Sequence, residues 1–251
     1  MEPTHNGLMR LIAVSGAIAA LILMCATVPC YGQQAPEVRQ VRNLASTNLK
    51  PPSDAIVLFD GSNTDAWVMQ NSRTPCKWEI LPSGAMRVRG GNIITKQNFT
   101  DFQLHVEFKV PLMPDQTGQG RGNSGVYFQG SYEVQVLDSY GLDSKDNDCG
   151  GIYRVSRPMV NACLKPQEWQ SYDILFFAPE FDENGKTVKP ARVSVLQNGV
   201  WIQHNVEVWK PTTAAMERDD LSKPGPIMLQ DHGNPVEYRN IWIRPLGPTS
   251  P

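Results

Sequence analysis

The chain has 251 residues, with 25 acidic and 23 basic side chains and a formal net charge of −2. That balance, with no run of Lys or Arg, speaks against a nucleic-acid or anionic-membrane partner and suits a neutral substrate. No stretch of 3.6-residue periodicity is sustained beyond the first 32 residues, which argues against a helical bundle or an α/β fold.

Residues 1–32 carry Arg10, then an apolar run from Leu11 to Met24, then small and polar residues, with Cys30 and Gly32 at the −3 and −1 positions of a candidate cleavage site. This is the layout of a signal peptide, and it implies a secreted or periplasmic protein with no membrane attachment after cleavage. An uncleaved anchor is the competing reading, since the apolar run with its flanks approaches the roughly 17 residues a spanning helix needs. Residues 33–53 are polar and proline-containing, as in a flexible linker. The domain is expected over residues 54–246, with 247–251 as a tail. Without the leader 219 residues remain, within the roughly 200–250 residues that an all-β sandwich covers as one unit.

The predicted elements are almost all strands. The first, at residues 56–59, ends in the turn Asp60-Gly61. Strands at 78–81 and 85–88 flank Pro82-Ser83-Gly84, a hairpin signal. Residues 102–110 alternate cleanly, sending Phe102, Leu104, Val106 and Phe108 to one face and Gln103, His105, Glu107 and Lys109 to a polar, solvated one. From Tyr132 to Leu137 the pattern repeats, with Glu133, Gln135 and Leu137 opposite Tyr132, Val134 and Val136. A carboxylate and an amide on one sheet face read as the floor of a sugar-sized groove. Strands at 192–197 and 200–208 are joined by Asn198-Gly199, a strong hairpin signal. Gln230, Asp231 and His232 then form a second polar cluster beside Gly233, before a last strand at 241–243. His204 is expected on a solvated strand face. Many short strands punctuated by turns imply a β-sandwich of two antiparallel sheets.

Residues 138–169 interrupt this rhythm. A loop of that length on a rigid sandwich usually shapes a binding site. Its acidic residues Asp143, Asp146 and Asp148 do not match an EF-hand spacing and read as a solvated turn. Of the cysteines beyond the leader, Cys149 and Cys163 bracket 13 residues. A disulfide between them would contribute on the order of 3 kcal/mol; three unpaired, buried cysteines including Cys76 are the other reading. No CxxC spacing supports a zinc or redox motif.

An ordered set of motifs carries a resemblance: LFDG at 58–61, Trp67, DFQLHVEFK at 101–109, GNSGVYFQ at 122–129, YEVQVLDSYG at 132–141, CGGIY at 149–153, Asn161-Ala162, EWQSYDI at 168–174, NGV at 198–200 and GPIMLQDHGNPVEYRNIWIRPL at 225–246. Together they resemble the 3-keto-disaccharide hydrolase family, also described as 3-keto-glucoside 1,2-lyase and 3-keto-2-hydroxy-glucal hydratase. The resemblance implies an all-β, concanavalin A-like jelly-roll sandwich whose concave sheet is the active face. It also implies an unusual cleavage. A ketone at C3 of a glucoside acidifies the C2 proton; a base removes it, O1 leaves, and water adds to the resulting enone. Such a site needs a base near C2, donors for the enolate oxygen and an acid for the leaving oxygen. The substrate would be a small molecule or oligosaccharide oxidised beforehand by a separate 3-dehydrogenase. No cofactor is implied, and a divalent metal is left open.

Glu133 and His232 are the candidates for proton transfer, with Asp231 orienting His232 or the sugar, and the assignment of base and acid between Glu133 and His232 is open. Asn123, Gln135 and Gln230 are candidate donors to the enolate or to sugar hydroxyls, and Tyr127, Gln129 and Trp169 candidate walls of the sugar site. Two other readings stand beside this one. A retaining, laminarinase-like glycosidase uses carboxylates at i, i+2 and i+5 of one strand, here Glu133, Gln135 and Asp138, so that Asp138 becomes a site candidate. A non-catalytic carbohydrate-binding module would share the fold without turnover.

Overall fold

The computed structural model describes residues 46–247; the expected leader and most of the expected linker lie outside the described residues. Fifteen strands were found: β1 Ile56–Phe59, β2 Trp67–Met69, β3 Glu79–Ile80, β4 Met86–Arg87, β5 Ile93–Thr95, β6 Phe102–Lys109, β7 Asn123–Phe128, β8 Tyr132–Leu137, β9 Gln170–Phe177, β10 Glu180–Phe181, β11 Thr187–Lys189, β12 Ala191–Gln197, β13 Val200–Val208, β14 Met228–Leu229 and β15 Glu237–Pro245. A turn of 3-10 helix spans Gly118–Gly120. There is no α-helix among the described residues.

Two antiparallel sheets pack into the expected jelly-roll sandwich. The larger runs β13-β12-β9-β6-β15-β4-β3, with β1 also paired to β15, and the smaller runs β2-β5-β14-β7-β8. Both sequence hairpins form. β3 and β4 pair Glu79 with Arg87 and Ile80 with Met86. Asn198 and Gly199 both take positive φ, 53° and 78°, as a two-residue turn between right-twisted strands requires.

Period-2 alternation builds the core between the sheets. Phe102, Leu104, Val106 and Phe108 of β6 are fully buried there, as are Val126, Phe128, Val134 and Val136 from the facing sheet. Phe102, Phe128 and Phe176 stack or meet edge to face at centroid distances of 5.1–5.9 Å, and each such side chain contributes about 1.5–3 kcal/mol by leaving water. The Tyr172 hydroxyl crosses this core to donate to the Gln135 carbonyl oxygen at 2.7 Å, so the larger sheet braces the strand that carries the candidate site. Cys149 and Cys163 are buried free thiols, with Cys76 half-buried and also free; the Cys149 thiol hydrogen-bonds the Tyr172 hydroxyl at 3.1 Å, and the Cys163 thiol the Leu164 carbonyl oxygen at 3.4 Å.

One expectation fails. His105 and Glu107 do face away from the core, but neither side chain is solvated: both are fully buried. The His105 ring stacks on Trp242 at 5.2 Å, and Asn240 and the backbone of Asn48 close over Glu107. Alternation reports which face a residue takes; it cannot report what another segment lays over that face. His204 is exposed, as expected.

Candidate active site

The β7 and β8 strands pair in regular register, with Tyr127 opposite Glu133 and Gly125 opposite Gln135. On the other flank of β7, Met228 of β14 lies opposite Tyr127, and the Gln230 amide donates to the Gly125 carbonyl oxygen at 3.0 Å. The outer face of the sheet therefore carries two rows. One row runs Ile94, Met228, Tyr127, Glu133, and its first three members form a small apolar cluster with Val68 and Met216 against it. The next runs Gln230, Gly125, Gln135. Gly125 is required there: a Cβ at that position would lie 2.3 Å from the Glu133 Oε1 and 2.8 Å from the Tyr127 ring, so the bare backbone leaves room for the carboxyl group.

Three loops raise walls around these rows. The 138–169 segment returns along the free edge of β8, where Gln135 exchanges both backbone hydrogen bonds with Gly150 and Gly151 and the Tyr153 amide donates to the Glu133 carbonyl oxygen at 3.1 Å. Residues 212–216 fold over the β7–β8 turn; the Thr212 hydroxyl accepts from the Glu133 amide at 3.1 Å, and the Tyr127 hydroxyl reaches the Thr213 carbonyl oxygen at 3.3 Å. The third wall is the 231–234 turn. The Asp231 carboxylate accepts from the Gly91 and Gly233 amides at 2.7 and 2.8 Å, and the Asn234 side-chain oxygen accepts from the Asn123 amide at 3.0 Å. His232 stands exposed at the tip of this turn.

The result is a cleft of about 190 Å³ lined by Glu133, His232, Asn123, Tyr127, Gln135 and Gln230, six of the sequence candidates, together with Gln119, Tyr153, Thr213 and Ala214. It is smaller than the roughly 300–1,000 Å³ of sites for drug-sized ligands, and suits a single sugar ring. Sequence reading missed the last four residues because each sits in a loop or short turn whose place over the sheet no local pattern reports; Gln119, three residues before the GNSGVYFQ motif, and Tyr153, within the CGGIY motif, are the two that the motifs would have flagged.

Four other candidates do not line the cleft. Gln129 is buried in the β7–β8 turn with φ 50° and donates to the Phe99 carbonyl oxygen at 3.1 Å. Trp169 stands on the larger sheet, stacked under the Arg239 guanidinium at 4.1 Å. Asp231 spends its carboxylate on backbone amides, so it shapes the turn that presents His232. Asp138 is buried and paired with Arg121, which donates from Nε at 3.0 Å and Nη2 at 2.6 Å. Because β8 carries no bulge, a separation of five residues puts Asp138 and Glu133 on opposite faces, and the cleft lining holds a single carboxylate.

That carboxylate is in an unusual state. Glu133 is 2% exposed, and burial pushes its pKa up to about 8 against the opposing effect of the neighbouring Tyr127 hydroxyl. Tyr127 is raised far above the usual phenol range by burial and then by the Glu133 charge, so it stays a neutral donor. The Gln230 Nε2 in turn donates to the Tyr127 hydroxyl at 3.2 Å. Among the described residues no three His, Cys, Asp or Glu side chains gather as a metal-binding set.

The model of a family described as the 3-keto-alpha-glucoside-1,2-lyase-like domain matches residues 54–244. The chain belongs to that family. A curated relative, the 3-keto-disaccharide hydrolase of Bacteroides thetaiotaomicron, is 24% identical, covering 79% of this chain and 82% of its own. A solved structure from Parabacteroides distasonis, provisionally assigned as a glycosyl hydrolase, is 43% identical with a TM-score of 0.70, covering 78% of this chain and 85% of that one. A second structure from the same organism, at 22% identity and a TM-score of 0.56, shares the fold. The family match encloses all three walls and the floor of the cleft.

Proposed function

We propose that this domain cleaves the glycosidic bond of 3-keto-glucosides by elimination and rehydration. One observation carries the reading: the cleft holds one buried carboxyl group, Glu133, with its pKa raised to about 8 by burial, and no second carboxylate. A retaining glycosidase needs two carboxyl groups about 5 Å apart; a base for an acidified C–H needs one, desolvated and strongly basic when ionised. The name of the Bacteroides relative and the family description support the same chemistry.

In this mechanism ionised Glu133 takes the C2 proton, and the electron pair moves into an enolate whose charge rests on the C3 oxygen. Collapse of the enolate restores the C3 ketone, forms the C1–C2 double bond and expels O1. His232, at the exposed mouth of the cleft, gives the departing oxygen its proton. Water then adds across C1–C2, its hydroxyl going to C1 and a proton returning to C2. The Gln230 amide keeps one hydrogen beyond the one given to Tyr127, and it serves as donor to the enolate oxygen. The same reading includes export of the domain after leader cleavage and supply of the keto-sugar by a separate 3-dehydrogenase.

The test is to incubate the purified domain in deuterated water with 3-keto-trehalose, methyl 3-keto-glucosides and the unoxidised sugars. Release from the keto-sugars alone, with deuterium at C2 of the product, is the expected result. Cleavage of an unoxidised glucoside, or release without deuterium at C2, would overturn the elimination.

A further inference from the structure

Asn123 and Gln135 are diagonal neighbours on the outer face of β7 and β8, each 1% exposed, and both line the cleft. Their side-chain oxygens, Asn123 Oδ1 and Gln135 Oε1, are buried without a partner in the protein. Buried acceptors are normally paired, and two orphaned side by side in a ligand-sized cleft are unlike the rest of this sheet face.

Their amide nitrogens are fully used, and Gln119 is the reason. The Asn123 Nδ2 donates to the Gln119 backbone oxygen at 2.8 Å and to the Gln119 Oε1 at 3.3 Å. The Gln135 Nε2 donates to the same Oε1 at 3.0 Å and to the Asn147 carbonyl oxygen at 3.4 Å. The Gln119 Nε2 donates to that Asn147 oxygen at 2.7 Å. Backbone carbonyls can only accept, so the Asn147 oxygen settles which end of the Gln119 amide carries nitrogen. The Gln119 Oε1 then settles Gln135, and the Gln119 carbonyl settles Asn123. Turning any of the three amides over would set oxygen against oxygen. The sequence expectation that Asn123 and Gln135 donate to the substrate is thereby reversed, since neither has an N–H left to give.

We infer that Gln119 is a positioning residue that holds Asn123 and Gln135 as a fixed pair of carbonyl acceptors, and that the cleft selects a sugar ring presenting two hydroxyl donors to them. The inference deepens the proposed 3-keto-glucoside reading and rests on it for the identity of the sugar. It also orients the ring: the C3 oxygen, an acceptor that gains negative charge, is repelled by these two oxygens and belongs on the Gln230 side, leaving hydroxyl-bearing carbons for the amide pair. A ring lacking one hydroxyl would leave a buried acceptor unpaired, the kind of mismatch that polar sites reject strongly.

The experiment titrates the whole protein with methyl glucoside and its 2-, 4- and 6-deoxy analogues by calorimetry or ligand NMR, with turnover of methyl 3-keto-glucoside measured separately. Two of the deoxy analogues should bind roughly 10- to 100-fold more weakly than the parent sugar. In Gln119→Leu the spread should collapse to within about threefold, because the freed amides can turn and satisfy themselves. Gln135→Met removes one acceptor at similar volume and should erase the penalty for one analogue while keeping the other, which keeps the test decisive if Gln119→Leu folds poorly. Equal binding of all four sugars to the wild type, or an unchanged spread in both variants, overturns the inference. Turnover of the keto-sugar without such a spread would sink the amide pair and leave the elimination standing; the spread without turnover would do the reverse.

Discussion

Glu107 and Glu133 are the same side chain in nearly the same setting: each on the outward face of a strand, each sealed from water, yet driven in opposite directions. Glu107 accepts from the Arg239 Nε at 2.7 Å, the Asn240 Nδ2 at 2.8 Å and the Asn48 amide, with His105 beside it. Burial alone would raise its pKa, but these partners outweigh burial and hold it at about 2. Glu133 has a neutral phenol and no cation, so burial wins and the pKa climbs to about 8. A buried carboxyl group with its charge satisfied is architecture; one left short of partners beside an open cleft is poised for proton transfer.

Exchanging each glutamate for its amide breaks the comparison most sharply. Glu133→Gln should lower kcat/KM on a 3-keto-glucoside by about 1,000-fold or more while leaving the fold intact. Glu107→Gln should leave turnover largely unchanged but destabilise by about 3 kcal/mol, because Arg239 loses the carboxylate it is paired with; a melting temperature lower by about 6–12 °C would register this. Loss of activity in both variants, in proportion to loss of fold, would dissolve the distinction.

The two residues also pull the pH dependence of stability apart. Folding lifts the Glu133 pKa from 4.5 to about 8, so the unfolded chain gives up that proton first. This residue leaves stability untouched below pH 4.5 and costs the fold progressively as pH rises from 4.5 to 8. Glu107 moves from 4.5 to about 2; its contribution is complete above pH 4.5 and is lost as pH falls toward 2. Denaturant melts of Glu133→Gln should therefore exceed wild type by the widest margin near pH 8, whereas Glu107→Gln and wild type should converge near pH 2.

A finer test acts on one neighbour. In the wild type kcat/KM should rise with pH to a midpoint near 8, as the base form of Glu133 appears. Tyr127→Phe removes the hydroxyl that favours the charged form, so the midpoint should move up, with a tenfold or smaller loss of the limiting rate. The smallest effect is expected at Asp231. Asp231→Ala releases the caps on Gly91 and Gly233 and should cost about 1 kcal/mol of stability; loosening His232 should reduce turnover severalfold without shifting the Glu133 midpoint.

Much of the fold was legible in the chain because its signals are local. Alternation in Phe102–Lys109 and Tyr132–Leu137 set the two faces of those strands, and Asn198-Gly199 marked a hairpin since few residue pairs tolerate two positive φ angles. Six of ten candidate site residues meet in one cleft for a related reason: Asn123, Tyr127, Glu133 and Gln135 share a face by period 2, and Gln230 and His232 lie in the one polar cluster beside a turn.

What failed was everything that depends on what covers what. Trp169 looked like a sugar platform and is a platform for Arg239 on the other sheet. His105 and Glu107 looked solvated and lie under Asn48 and Asn240. Asp138 kept a catalytic spacing on paper and is held by Arg121 across the strand from Glu133. By itself the sequence determined the strand pattern, its turns and the polar row along β8, since each is a property of neighbours in the chain. Only the tertiary structure decided that Glu133 would be desolvated without a counter-charge, and that Gln119, oriented by the Asn147 carbonyl, would hold Asn123 and Gln135 through its own oxygens. Burial and hydrogen-bond partnership depend on segments brought together from distant parts of the chain, and no local pattern encodes them.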